Sequence, residues 1–420
     1  MLNMKKLTCT ALSLAAVSLA AKTDKYRLTW RDDNTATSMV VGWNQIDGDN
    51  ATVHYGTEDF GKDWAKYPLK NGVDNAVKLE PLNNQFARLK NLQPDTAYYF
   101  VIKDSNSISE RYWFKTAPDK PQPIKFIAGG DSRGSSKALT IGNQTVAKIR
   151  PLFIVFGGDF TGSGSAKQWV KWLDNWQNTI SEDGRMYPVI PTEGNHDKAP
   201  GLIAVFDIEN PQIYSSIGFG GNMARLWALN TQLYKGKRLE KFKEQTAWFL
   251  KDISENSSYK WKMAAYHRPM RPHAAHKDEG DLYIDAWADA FYKYRMSLVF
   301  ESDTHMVKRT YPIKPSKEAG NDEGFVRDDK NGIVFIGEGS WAAPKRPAND
   351  NKSWTRASDS FYQFKLVHMT PEKIESRVVM LEHAKDVKPL KESDPLFKLP
   401  DGIKIWKPET GAVLTIPFEK

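Results

Sequence analysis

Five times in the middle of the chain, an apolar run stops on a short side chain that can bind a metal or a proton. Ile124-Lys125-Phe126-Ile127-Ala128 runs into Gly129-Gly130-Asp131, and Leu152-Phe153-Ile154-Val155-Phe156 runs into Gly157-Gly158-Asp159. The run 187–191 leads to Glu193-Gly194-Asn195-His196-Asp197. The run 261–266 leads to His267, and 297–300 leads to Glu301-Ser302-Asp303-Thr304-His305. Helical patterns fall between the first runs, at 138–150 and 166–180, so the rhythm predicts an α/β fold. In such folds ligands bind outside the carboxyl ends of the strands, where the loops converge on one crevice. Glycines before Asp131, Asp159 and Asn195 permit the sharp turns that bring these short side chains together. No internal repeat or low-complexity tract accounts for the coincidence.

The converging set is Asp131, Asp159, Asn195, His267, Asp303 and His305: carboxylates, an amide oxygen and imidazoles, without sulfur. Hard oxygen with borderline nitrogen suits a pair of ions such as Mn, Fe or Zn. A carboxylate between two ions about 3.5–4 Å apart can bridge them, and such pairs activate water and clamp an in-line phosphoryl displacement. Asp303 and His305 stand two apart, so they are expected to reach the same metal pair from extended backbone at a strand end.

The flanking segments set the context. Residues 1–21 read as a secretory signal: a basic start, an apolar stretch from Leu7 to Leu19, and a small-x-small cleavage pattern at Ser18-Leu19-Ala20. The single cysteine, Cys9, lies inside it, so the mature chain is expected to hold no disulfide and no thiolate metal site. The product is then periplasmic or extracellular. No later segment approaches eighteen uninterrupted apolar residues, so no membrane span is expected after signal removal. Lys and Arg number 59 against 51 Asp and Glu, a net +8 spread without a basic run. That argues against nucleic acid or a membrane surface as partner and suits a small anionic molecule.

Residues 22–118 carry short alternating segments, among them 38–43, 52–56 and 98–102, separated by Gly, Asn and Asp clusters. This predicts an all-β sandwich of about seven strands. Trp43 and the corner Pro94-Asp95-Thr96-Ala97-Tyr98 resemble a fibronectin type III domain, with the Tyr hydroxyl tying the turn to backbone. The Pro-rich segment 115–123 closes this domain as a stiff linker. His54 in its strand, and His368 and His383 further on, read as structural.

Gly130-Asp131, Gly158-Asp159, Gly194-Asn195-His196-Asp197, His267 and the Asp303/His305 pair resemble, in order and strand-end placement, the blocks of the calcineurin-like metallophosphoesterase superfamily. With the preceding sandwich, the chain looks most like purple acid phosphatase-type proteins. The resemblance implies an α/β domain of four layers (αββα) over 122–384, and an enzyme that hydrolyses phosphate monoesters with two metal ions (Mn, Fe, Zn or Mg). It implies that Asp131 and His305 bind the first metal, Asp159 bridges both, and Asn195 and His267 bind the second. A hydroxide between the metals would attack phosphorus. It gives His196 the catalytic role of hydrogen-bonding the phosphate or protonating the leaving oxygen.

The chain also departs from that pattern. Gly162 stands where purple members carry the tyrosine ligand, and Arg133 stands where many relatives carry a histidine. The last block reads Ser302-Asp303-Thr304-His305 in place of Gly-His-x-His, so Asp303 either ligates as a carboxylate or stays off the metal. The expected site is oxygen-rich and not purple. Arg133 is a candidate phosphate clamp. His273, in the loop after His267, is a candidate substrate-binding residue, with His276 beside it. The alternatives are a phosphodiesterase or nucleotidase of the same superfamily, and a degenerate member that binds without turnover. The Trp169/Trp172/Trp176 stripe is expected in the core, and 341–356 is read as a solvated loop or a groove wall. The extension 385–420 is expected to hold a hairpin with arms at 403–406 and 413–416. Oligomeric state is not legible.

Overall fold

The computed structural model describes residues 22–133, 136–234 and 236–418. The expected signal segment, with Cys9, lies outside the described residues. The first domain comprises β1 (Thr23–Thr29), β2 (Met39–Gln45), β3 (Thr52–Gly56), β4 (Leu69–Asn71), β5 (Asn75–Leu79), β6 (Leu82–Leu89), β7 (Ala97–Lys103) and β8 (Tyr112–Lys115). They form two sheets, β5-β6-β2-β1 and β4-β3-β7-β8, and Trp43, Tyr55, Phe100 and Phe114 fill the space between them. The predicted corner is present. Tyr98 Oη accepts the Gln93 N–H at 2.8 Å, and the ring stacks on Phe114.

The second domain is built from β9 (Ile124–Gly129), β10 (Ile154–Phe156), β11 (Pro188–Pro191), β12 (Ser215–Phe219), β13 (Ala224–Ala228), β14 (Trp261–Ala265), β15 (Leu298–Phe300) and β16 (Val307–Thr310). After a small ribbon, β17 (Ile313–Pro315) with β18 (Phe325–Arg327), it continues through β19 (Val334–Gly337), β20 (Thr355–Asp359), β21 (Gln363–Met369), β22 (Lys373–Met380) and β23 (Val413–Pro417). Two sheets result, one containing β22-β21-β9-β10-β11 and the other β12-β13-β14-β15-β19-β16-β20. Period two decides the faces. Phe126, Phe153 and Val155 point to the opposite sheet and meet Phe219, Met263 and Phe300, while Ile127, Ile154 and Phe156 point outward. Such strands are apolar on both faces, as parallel strands covered on both sides must be.

The outward face of the first sheet is covered by α1 (Lys137–Ile149), α2 (Ala166–Trp176) and α3 (Ala199–Phe206). The Trp169/Trp172/Trp176 stripe of α2 is fully in this core, as expected. On the far side α4 (Leu239–Glu255) and the helical stretch 281–293 pack Phe249, Trp287 and Phe291 against Trp227 and Val299. The order is helix, sheet, sheet, helix.

Two features differ from the sequence reading. The domains share a sheet: β1 pairs in parallel with β11, Leu28 opposite Pro188 and Thr29 opposite Val189. The segment after β8 is therefore packed instead of spanning a gap; Thr116 and Ala117 are buried, and Pro118 accepts the Gly220 N–H. The expected C-terminal hairpin does not form. Both arms lie end to end along β22, with Ile405 bridging Val379 and β23 pairing with 373–377, because the bare edge of β22 offers each arm a longer partner than the other arm does.

Candidate metal centre

Asp131 follows β9, Asp159 follows β10, Asn195 follows β11, His267 follows β14, and Asp303 and His305 follow β15. All six therefore stand at the carboxyl ends of parallel strands, three from each sheet. The backbone is left-handed at Asp131 (φ 61°), Asp159 (55°), Asp303 (68°) and His305 (61°). The extended backbone expected at 303–305 is thus absent; a tight turn brings both side chains to one side. Each such residue costs roughly 1–2 kcal/mol, which surrounding bonds must offset. The offsets are visible: the Asp131 N–H donates to Gly158 O (2.9 Å), the Asp303 N–H to Asp131 Oδ2 (3.0 Å), and the His305 N–H to Glu338 O (2.7 Å). Gly339 (φ 78°) lies so close that a Cβ there would sit 2.6 Å from Asp131 Cγ.

Two ligand groups share Asp159. In the first, Asp131, Asp159 and His305 offer ligand atoms within 4.8 Å of one another. In the second, His267 Nε2 lies 2.9 Å from Asn195 Oδ1, 3.4 Å from Asp159 Oδ1 and 3.5 Å from Asp303 Oδ1. Partner chemistry fixes the tautomers. His267 Nδ1 faces Gly157 O (2.7 Å) and His305 Nδ1 faces Pro344 O (2.8 Å); carbonyls only accept, so each Nδ1 carries the hydrogen and presents Nε2 as the ligand atom. Asp131 Oδ1, Asp303 Oδ1 and His305 Nε2 are buried without a hydrogen-bond partner, and His305 Nε2 stands 3.1 Å from Asp131 Oδ1, ligand atom facing ligand atom. Buried ligand atoms converging beside the exposed Asn195 fit divalent ions that a substrate can reach. The charge balance agrees. Although burial opposes it, the carboxylates of Asp159, Asp131 and Asp303 push the His267 imidazole up to about 10. Against the same burial, His267 and Lys277 hold Asp303 well below the usual carboxylate range.

Lys277 was not signalled by any motif. Its Nζ lies 2.6 Å from Asp303 Oδ2, so this carboxylate has one oxygen on a lysine and the other facing His267. Arg133 Nε bonds Asp159 Oδ2 at 3.1 Å, and neither Nη has a partner among the described residues. His196, half-buried, donates Nδ1–H to Gly162 O at 2.8 Å. Gly162, in the expected tyrosine position, thereby orients His196 through its backbone. Asp197 accepts the N–H groups of Asp159 (2.7 Å) and Gly194 (3.1 Å), locking two of the loops together.

His273 corrects the sequence reading. It is fully buried, with Nε2 bonded to Thr355 Oγ1 (2.7 Å) and Nδ1 beside Glu338, so both ring nitrogens are engaged within the fold. His276 is exposed. Of the segment 341–356, residues 341–346 are tied to the site, since Ala342 and Ala343 donate to Asp131 O, Pro344 accepts from His305, and Arg346 binds the backbone of both His305 and Asp303, while 347–351 form an irregular, partly exposed loop.

A purple acid phosphatase N-terminal domain model matches residues 23–116, and a calcineurin-like phosphoesterase model matches residues 128–307. Residues 128–307 are thus similar to calcineurin-like phosphoesterases, and residues 23–116 to the N-terminal domain of purple acid phosphatases. It is 23% identical over 325 residues to an uncharacterised protein of Mycobacterium tuberculosis, a match that takes in 67% of this chain and 61% of that protein. The chain thus spans less than two thirds of the length of the curated relative it matches. Among solved structures, purple acid phosphatase from yellow lupin (Lupinus luteus) seeds superposes with a TM-score of 0.67 at 15% identity, over 94% of this chain and 74% of the other. PhoD superposes with a TM-score of 0.66 at 11% identity, over 87% and 89%. These likenesses show the shared fold; the metallophosphoesterase match implies divalent ions at the strand ends. Among the described residues no helix is long and apolar enough to cross a membrane.

Proposed function

We propose that the chain is an exported phosphatase that hydrolyses small phosphate monoesters at a two-metal site. The observation that carries this reading is the pair of ligand groups sharing Asp159, with buried ligand atoms left unbonded. Asp131, Asp159 and His305 would hold one ion, and Asp159, Asn195, His267 and Asp303 the other. Such ions supply Lewis acidity, activating water and stabilising charge on the phosphoryl oxygens. The protein's own groups complete the site. Arg133, anchored on Asp159 through Nε, offers its two Nη groups to phosphoryl oxygens in the forked geometry that suits them. His196 has Nδ1 tied to Gly162 O, so Nε2 is the atom that meets the phosphate or the leaving oxygen. Lys277 keeps Asp303 from adding an uncompensated negative charge beside an anionic substrate.

Export rests on the signal pattern of residues 1–21. With Gly162 in the tyrosine position, the loaded protein is expected to show no tyrosinate-to-iron absorption band. The test refills stripped protein separately with Mn, Fe, Zn or Mg and assays an aryl phosphate monoester and the matching diester, with Asp159→Asn as control. Monoester turnover lost in the control is the expected result. Preference for the diester would move the enzyme to the phosphodiesterase class, and folded protein without turnover under any metal would make it a binding member.

A further inference from the structure

A second charged site lies at the other end of the same strands. Lys125 is the second residue of β9, whose carboxyl end leads to Asp131. At about 3.3 Å per residue the strand separates the two ends by roughly 20 Å. Lys125 is 4% exposed, and its ammonium has no hydrogen bond or ion pair among the described residues. It lines a cavity of about 90 Å³ together with Arg150, Arg185 and Glu392. The cavity sits where three parts of the chain meet: Lys115 comes from the first domain, Lys125, Arg150 and Arg185 from the second, and 390–396 from the C-terminal extension.

Five basic side chains line the cavity against three acidic ones, Asp95, Glu392 and Asp394. Arg150 (8% exposed) is held by Asp183, with Nη atoms at 3.0 and 2.9 Å from the two carboxylate oxygens. Arg185 (6% exposed) is held by Glu392 at 2.5 Å. Lys115 pairs with Asp95 at 2.7 Å. Lys125 has no ion pair among the described residues, and burial, with Arg185 and Arg150 nearby, depresses its ammonium to about 8 against the opposing pull of Glu392 and Asp394. A buried cation without a counter-charge is costly and is retained where an anion neutralises it.

We propose that this cavity is a binding site for a small tetrahedral oxyanion, phosphate or sulfate, recognised by Lys125, Arg150 and Arg185. Its size supports that class. The volume equals about three waters of liquid, which suits a five-atom ion. The occupant would bridge both domains and the extension, so it would act as a clamp on the fold. It does not depend on the reaction at the metal centre.

The test follows thermal unfolding of the full chain, and of its Asp159→Asn variant, in phosphate, sulfate or chloride at matched ionic strength. Phosphate or sulfate is expected to raise the Tm by at least about 2 °C over chloride in both proteins, and the better anion identifies the occupant. Lys125→Met should abolish that rise while leaving the Tm in chloride equal or higher, because it deletes an uncompensated buried charge. Glu392→Gln, at an exposed position, should shift the midpoint of the phosphate response to lower concentration by removing the competing carboxylate. A phosphate response that vanishes in Asp159→Asn and survives Lys125→Met belongs to the metal centre and overturns the proposal. Equal Tm in all three salts overturns it too. Should Lys125→Met fail to fold, an unchanged midpoint in Glu392→Gln does the same.

Discussion

Gly339→Ala tests how tightly the ligand geometry is held. The added methyl would sit 2.6 Å from Asp131 Cγ and closer still to Oδ2, where non-bonded carbon contacts begin at about 3.0 Å. Because Oδ2 is nearer than Cγ, the carboxylate or the loop must shift by well over ~0.4 Å. Asp131 has little room to yield: Oδ2 accepts the Asp303 N–H, and its backbone oxygen accepts from Ala342 and Ala343. Metal–ligand distances tolerate about 0.2 Å, so a shift of this size should weaken metal binding by at least the 10–100-fold typical of damaged supporting shells. The left-handed φ of 78° adds roughly 1–2 kcal/mol against alanine. The variant should stay folded, with a Tm lowered by a few degrees and metal content after gel filtration well below one ion per chain. Gly162→Ala is the control, since its Cβ would approach nothing closer than the Gln168 side chain at 3.5 Å. Full metal occupancy and wild-type turnover in Gly339→Ala would refute the argument that this glycine is required by the Asp131 carboxylate.

Three further outcomes follow from the same geometry. Lys277→Met should lower the Tm of stripped protein, because it leaves the buried Asp303 carboxylate short of a cation, a loss of about 3–5 kcal/mol for a broken buried pair; metal should restore much of it, read as a larger metal-induced Tm shift than in wild type. His267 holds its proton up to about 10 without metal, against an unfolded value near 6.5, so that contribution to stability is present below pH 6.5 and is lost as pH rises through 10. Metal needs the neutral ring, so apparent metal affinity should climb about tenfold per pH unit between 7 and 9, and calorimetry in buffers of differing ionisation enthalpy should count one proton released from this site. Tyr98→Phe should cost about 0.5–1.5 kcal/mol in denaturant unfolding, since the Gln93 N–H exchanges the hydroxyl for water.

The site was legible because it is written locally. Each ligand lies within about five residues of the end of an apolar run, and strand direction alone places such residues at one end of a sheet, so Asp131, Asp159, Asn195, His267 and His305 could be grouped without knowing any long-range contact. The Tyr98 corner was legible for the same reason: its donor and acceptor are five residues apart. What escaped depends on contacts that sequence spacing does not encode. Lys277 reaches Asp303 across 26 residues, from a loop with no periodic pattern. His273 looked like a pocket residue because it follows His267 closely, yet the chain folds back and buries it on Thr355. The fused sheet arises from a two-residue parallel pairing of β1 with β11, too short to mark either strand. The C-terminal hairpin failed because a turn signal at 408–411 competes with the bare edge of β22, and pairing to an existing sheet gains more than a free two-stranded ribbon.

Six side chains at the strand ends are expected to hold two ions through a shared Asp159. Metal content per chain, measured by mass spectrometry on protein loaded with Mn and passed through a desalting column, decides whether they do. Two equivalents in the wild type, with loss of both in Asp159→Asn and loss of one in His305→Ala, is the expected result. One equivalent in the wild type, or two retained in Asp159→Asn, would contradict the shared-carboxylate site.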